Sequence, residues 1–98
     1  MEDNSTKRIL AYISPTVEQF AHSIKASFSS GNELSVRVRN SREILTIQVL
    51  VVGKKLEIVT IGSKGFEFYR TYLDIPENYQ EINLNSLSSA LKVAFLKN

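Results

Sequence analysis

Ninety-eight residues, 43% of them hydrophobic, with a formal net charge of +2, describe one small domain with enough apolar material for a modest core. The absence of cysteine excludes a disulfide framework and thiol chemistry, and a single histidine, His22, leaves no ligand set for a zinc site. No apolar run approaches the ~20 residues that cross a bilayer. The first apolar run follows acidic and polar residues rather than the basic ones of a secretory leader, so the expected setting is intracellular, away from membranes and metals.

Residues 1–7 are polar and read as a disordered leader ahead of a single domain over 8–98. Residues 8–13 (Arg-Ile-Leu-Ala-Tyr-Ile) read as a strand. Ser14 and Pro15 then suit a helix start, since Ser14 can cap and Pro15 loses nothing at a first-turn position. Val17, Phe20, Ala21, Ile24 and Phe28 line one face of that helix, which Gly31 and Asn32 end. In residues 34–39, Leu34, Val36 and Val38 alternate with Ser35, Arg37 and Arg39, giving a strand with one apolar and one basic face. A turn at 40–42 leads to a strand apolar on both sides, over 44–52, a pattern that fits a covered central strand or one waiting for a partner. Leu45, Ile47, Val49 and Val51 share one face of it and are the candidate partner interface.

Gly53, Lys54 and Lys55 make a hairpin turn into a strand over 56–61, and residues 62–65 (Gly-Ser-Lys-Gly) make a second. The strand over 66–73 sets Phe66, Phe68 and Tyr72 on one side and Tyr69 and Leu73 on the other. Residues 75–78 break regular structure, and 81–83 read as a short extended piece. Asn83 or Asn85 caps a final helix with Leu84, Leu87, Leu91, Ala94 and Phe95 along its stripe. The order is β-α-β-β-β-(β)-α. Short connections imply an antiparallel sheet, with two helices packed on one face in an α+β fold.

Little here supports catalysis or a cofactor. His22 falls off the apolar stripe and reads as a surface side chain. Residues 62–65 lack the spacing of a phosphate loop and precede a strand. The carboxylates are dispersed. What remains is basic: Arg37, Arg39 and Arg42 on one strand face and its turn, with Lys54 and Lys55 at a hairpin tip and Lys25, Lys92 and Lys97 on helix surfaces. Lys25, Arg37, Arg39, Arg42, Lys92 and Lys97 are the candidate nucleic-acid contacts, since phosphate neutralisation dominates such affinity. Tyr69, Tyr72 and Tyr79 offer rings for stacking on bases. Each feature also has a plain structural explanation as solvated charge or core packing. The function this supports is a non-catalytic binding or assembly protein whose partner is another protein, a further copy, duplex DNA or tRNA.

Residues 60–94, from Thr-Ile-Gly-Ser-Lys-Gly-Phe-Glu-Phe-Tyr-Arg to Ile-Asn-Leu-Asn-Ser-Leu-Ser-Ser-Ala-Leu-Lys-Val-Ala, resemble the N-terminal half of the eukaryotic and archaeal sliding clamps of DNA replication. That resemblance implies a ring assembled through strands at domain edges, with helix lysines facing DNA without reading its sequence. Lys25, Lys92 and Lys97 would take that role. The strand–helix–strand–strand–helix order, with Ser-Val-Arg-Val-Arg at 35–39, is also similar to the small dimerising subunit of the KEOPS tRNA-modification complex. That likeness implies an accessory subunit, and the loop and strand over 64–80 fall outside its pattern.

Overall fold

A computed structural model describes residues 4–39 and 43–96. Its order is α1 (Asn4–Ser23), β1 (Ser27–Ser30), β2 (Leu34–Arg39), β3 (Ile44–Val52), β4 (Lys55–Ile61), β5 (Glu67–Asp74), a 3₁₀ turn (Tyr79–Glu81) and α2 (Leu84–Leu96). The five strands form one antiparallel meander in which each pairs with its chain neighbours, and both helices pack against one face. The α+β class and the two helices on an antiparallel sheet are as the sequence implies.

The first element differs. Residues 8–13 are not a strand but the middle of α1, which runs through Pro15 and begins inside the expected leader. Burial explains why. Ile9, Leu10, Ile13, Val17, Phe20 and Ala21 are all buried, and their spacing follows a helical stripe. Docking that stripe outweighs the lost backbone bond at Pro15, whose ring sits on the exposed side of the helix.

The helix also ends earlier than its apolar spacing suggests. The N–H of Ala26 donates to the carbonyl of Ala21 (2.8 Å) and that of Lys25 to His22 (3.1 Å), the paired bonds of a Schellman closure. Lys25 therefore adopts φ 57, a left-handed backbone that glycine usually supplies. Released there, the chain makes strand β1 over residues read from sequence as the last helical turn. Gly31 and Asn32 join β1 to β2 instead of capping a helix.

The sheet has one face under the helices and one open. Register places Val36 opposite Ile47, Ile47 opposite Thr60 and Thr60 opposite Tyr69 in one inward row. Leu34, Ile47, Val49, Leu56, Ile58, Leu87 and Leu91 form the centre of the core, each at most 1% exposed. Among the described residues Thr60 is the one polar side chain buried completely there, and its hydroxyl donates to the carbonyl of Ala94 (3.2 Å), tying β4 to α2. Asn83 caps α2 by accepting from the Ser86 N–H (3.0 Å). The helices meet through Phe20 and Phe95, edge to face with ring centres 6.4 Å apart. Tyr12 packs on Tyr79 and donates its hydroxyl to the Gln80 carbonyl (2.9 Å), which fixes the 3₁₀ turn where an extended piece was expected at 81–83.

The residues expected as a partner interface, Leu45, Ile47, Val49 and Val51, are instead turned into the chain's own interior. These side chains belong to the inward face, and Leu45, Ile47 and Val49 are at most 3% exposed. The apolar alternation that suggested a partner is satisfied by the chain's own helices. The other side of β3, facing away from the helices, carries Ile44, Thr46, Gln48, Leu50 and Val52.

A candidate anion-binding corner on the open sheet face

The open face divides into zones. Along β2, Ser35, Arg37 and Arg39 point away from the helices because Leu34, Val36 and Val38 point toward them. Arg37 stands opposite Ser27 on one side and Thr46 on the other. The early end of α1 brings Lys25 to the same place, because β1 runs antiparallel to β2 and its entry lies beside the exit of β2. Lys25, Ser27, Arg37, Val38, Arg39 and Ile44 line a hollow of about 270 Å³. All three cations are exposed, and none has an ion pair among the described residues. No carboxylate lines the hollow.

A wider hollow of about 530 Å³ adjoins this corner and shares Ser27 and Arg37. Ser29, Ser35, Thr46 and Gln48 add hydroxyl and amide groups to it, and Glu33 adds one carboxylate. The surface is suited to an anion with further polar groups: guanidinium forks at one end and short neutral donors beside them.

The β5 side of the open face is already committed. Arg70 bonds Glu57 through Nη1 and grips Glu67 through Nε (2.9 Å) and Nη2, with the Tyr72 hydroxyl at 3.5 Å. Glu57 is 8% exposed, so this guanidinium neutralises a carboxylate that would otherwise be buried without a partner. The hydrogen bond from Arg70, reinforced by its charge, holds the Glu67 carboxyl below the ordinary carboxylate range. The same bond, then that to Tyr72, raises the Arg70 guanidinium further above its already high value. Arg70 is a structural cation, unlike Arg37 and Arg39.

At the entry to β5 the chain presents two phenylalanines, Phe66 at 69% and Phe68 at 48% exposure. Gly62 lies beneath Phe68: a Cβ on Gly62 would sit 2.6 Å from the ring and 2.9 Å from the Glu43 carboxylate. Glu43 is itself held, accepting from the Ser63 N–H (3.1 Å) and hydroxyl (3.0 Å).

The structure brings together only part of the expected site. Lys25, Arg37 and Arg39 converge, although Lys25 lies on the connection after α1 and not on a helix surface. Lys92 is exposed on α2, on the helical layer, and lines neither hollow of this corner. Arg42 and Lys97 lie outside the described residues. Lys54 and Lys55 occupy the opposite end of β3, where Lys55 pairs with Asp74 (3.1 Å). Of the tyrosines, Tyr69 packs against the core and Tyr79 against Tyr12, leaving Tyr72 on the open face. Sequence reasoning missed Ser27 and Ser29, hidden in an apparent helix. It saw Phe66 and Phe68 share a side but had no signal that both stay uncovered.

His22 is exposed on α1, and among the described residues no group of three or more His, Asp or Glu side chains could hold a metal. No helix is long and apolar enough to cross a membrane. No family model matches the chain, and no curated protein or solved structure is significantly similar to it.

Proposed function

We propose that this domain is a non-catalytic binding module whose basic corner, Lys25, Arg37 and Arg39, holds the phosphate backbone of a nucleic acid. One observation carries the reading. Lys25 sits in a left-handed conformation at a helix end where glycine is the unstrained choice, and it lines one hollow with the two arginines. A left-handed conformation costs an L-residue about 1–2 kcal/mol. A lysine at that cost, beside two guanidinium groups with no ion pair among the described residues, supports an anion as the partner of all three. The helix dipole favours a cation at this end by about 0.3–1 kcal/mol, less than the strain.

The test follows from those opposed terms. Lys25→Gly should raise stability by about 1 kcal/mol, read in urea melts, while weakening binding to fluorescently labelled oligonucleotides. Affinity should fall with salt and depend little on sequence. Each of Arg37→Ser and Arg39→Ser should lower the slope of log K against log salt by about 0.7–0.9. Unchanged slopes in all three variants, or no binding at 50 mM salt, would overturn the reading.

A second reading, assembly with a protein partner or a further copy, is favoured by one feature. Leu50, Val52 and Tyr72 gather at the far end of the open face, and Val52 and Tyr72 are each 45% exposed. Sedimentation showing a monomer at micromolar concentration, in both the wild type and Val52→Lys, would remove self-assembly.

A further inference from the structure

We infer that two copies of this chain join edge to edge through β5, antiparallel across a two-fold axis at Tyr72, so that their sheets become one. The inference rests on the self-assembly reading, gives it a definite surface, and is separate from the basic corner. β5 is the long outer strand of the meander, eight residues against the four of β1 at the other edge. Its outward backbone groups follow from the ladder on its other side. The Ile75 N–H donates to the Lys54 carbonyl (2.9 Å), a pair that continues the β4–β5 register. By alternation Leu73, Thr71 and Tyr69 turn their backbone groups toward β4, and Arg70, Tyr72 and Asp74 turn theirs outward. No other strand lies on that side among the described residues. A bulge at Thr60–Ile61 interrupts the ladder before this stretch, and Pro76, which has no N–H to donate, lies beyond it. The regular free edge therefore runs from Arg70 to Asp74, and Tyr72 is its centre.

The side chains select a second copy as the occupant of this edge. Arg70, Tyr72 and Asp74 are all exposed, on the open face. Pairing about Tyr72 sets that ring against its own counterpart and Arg70 against Asp74 of the partner subunit, twice by symmetry. All the outward backbone groups of the stretch are then used, with opposite charges facing at both ends. Other registers are poorer. Centring on Arg70 or on Asp74 brings like charges face to face. Centring on Thr71 sets Asp74 against the bulge at Phe68, and centring on Leu73 sets Arg70 against Pro76. Asp74 arrives with Lys55 (3.1 Å) and Arg70 with Glu67, so the signs alternate across the junction. On the helix side, α2 lies over β4 and β5. Phe95 faces α1, and the opposite flank of α2 carries Ser86, Ala90 and Val93, short side chains at helical spacing that leave room for the matching helix.

The chain contains no cysteine, so Tyr72→Cys installs a single thiol. Beside the axis its Cα lies ~5.5 Å from its counterpart, within disulfide reach, and mild oxidation should yield a covalent dimer. Asp74→Cys is the control. That position is more exposed than Tyr72, yet it is offset from its counterpart by the four residues between 70 and 74, ~13 Å along the strand, and should not cross-link. Sedimentation equilibrium should give a dimer at micromolar concentration. Asp74→Lys, at a site remote from the core, should raise its dissociation constant about tenfold with the far-UV signal unchanged. Equal cross-linking through both thiols, or a dimer indifferent to Asp74→Lys, would overturn the β5 pairing and leave self-assembly to another surface. A monomer at micromolar concentration would overturn both. None of these substitutions touches Lys25, Arg37 or Arg39, so the phosphate-binding reading stands or falls separately.

Discussion

Replacing Pro15 by alanine separates two accounts of the N-terminal third of the chain. At the first turn of a helix a proline costs nothing, and its removal would be neutral or slightly harmful. In the structure Pro15 lies well inside α1, where it removes the backbone donor that would reach the Ala11 carbonyl. Proline in a helix interior is about 3 kcal/mol less favourable than alanine. Two terms reduce what substitution recovers. Ala11 and Pro15 are both exposed, so water already satisfies much of that carbonyl. The unfolded chain also regains about 0.4–1 kcal/mol of freedom when proline is lost. The net gain is about 1–2 kcal/mol, an increase in Tm of roughly 5–15 °C for a domain of this size. Urea and thermal melts followed at 222 nm measure it, and native helical signal should hold or rise. A neutral or destabilised Pro15→Ala protein would refute a continuous helix from Asn4 to Ser23 and return residues 8–13 to another conformation.

Three further outcomes probe the layers separately. Leu91→Ala, at 0% exposure between α2 and the sheet, should cost about 2–5 kcal/mol in urea unfolding, a large part of what a domain of this size has. Thr60→Val keeps the side-chain shape but removes the donor to the Ala94 carbonyl, and should cost about 0.5–1.5 kcal/mol with the melt still cooperative. Because Arg70 lowers the Glu67 pKa in the folded state, the unfolded chain takes up the proton first as pH falls. The stability from this pair is therefore present above the ordinary glutamate pKa of about 4.3 and lost as pH falls through the lower folded value. Glu67→Gln should flatten that part of the urea midpoint–pH profile, and a profile identical to wild type would show the pair contributes nothing in water.

Most of the sheet was legible because period-two alternation is local. Leu34, Val36 and Val38 against Ser35, Arg37 and Arg39 fixed both the strand and its polar face, and Asn83 with the stripe from Leu87 to Ala94 fixed α2. The N-terminal helix was misread because Ser14 and Pro15 make a strong start signal, while the stripe from Ile9 to Phe20 crosses it. Preference there lost to tertiary burial. The end of that helix was hidden for the opposite reason: Phe28 continues the helical spacing, yet the chain leaves the helix at Lys25 in a conformation lysine rarely takes. That one backbone choice makes β1, carries Lys25 to Arg37 and Arg39, and places the serines beside them. The basic alternation of β2 could be read from the sequence, and the convergence could not, because it depends on pairing between segments whose boundary was misplaced. Likewise the buried face of β3 was identified as apolar, but choosing between helices and a partner as its cover required knowing where α1 lay.

The strictly sequential strand order bears on how the chain folds. A meander of hairpins closes only short loops, so each strand can zip onto the last without a long-range search. The distant pairings are those of α1 with α2 and with the 3₁₀ turn, and of each helix with the sheet. Phe20 and Phe95 come from opposite ends of the chain and meet above the finished hairpins. The two helices thus act as a latch on a pre-formed ribbon. Substitutions in their contact should accelerate unfolding with little change in folding rate, while substitutions in β3 and β4, at the centre of the ribbon, should slow folding itself.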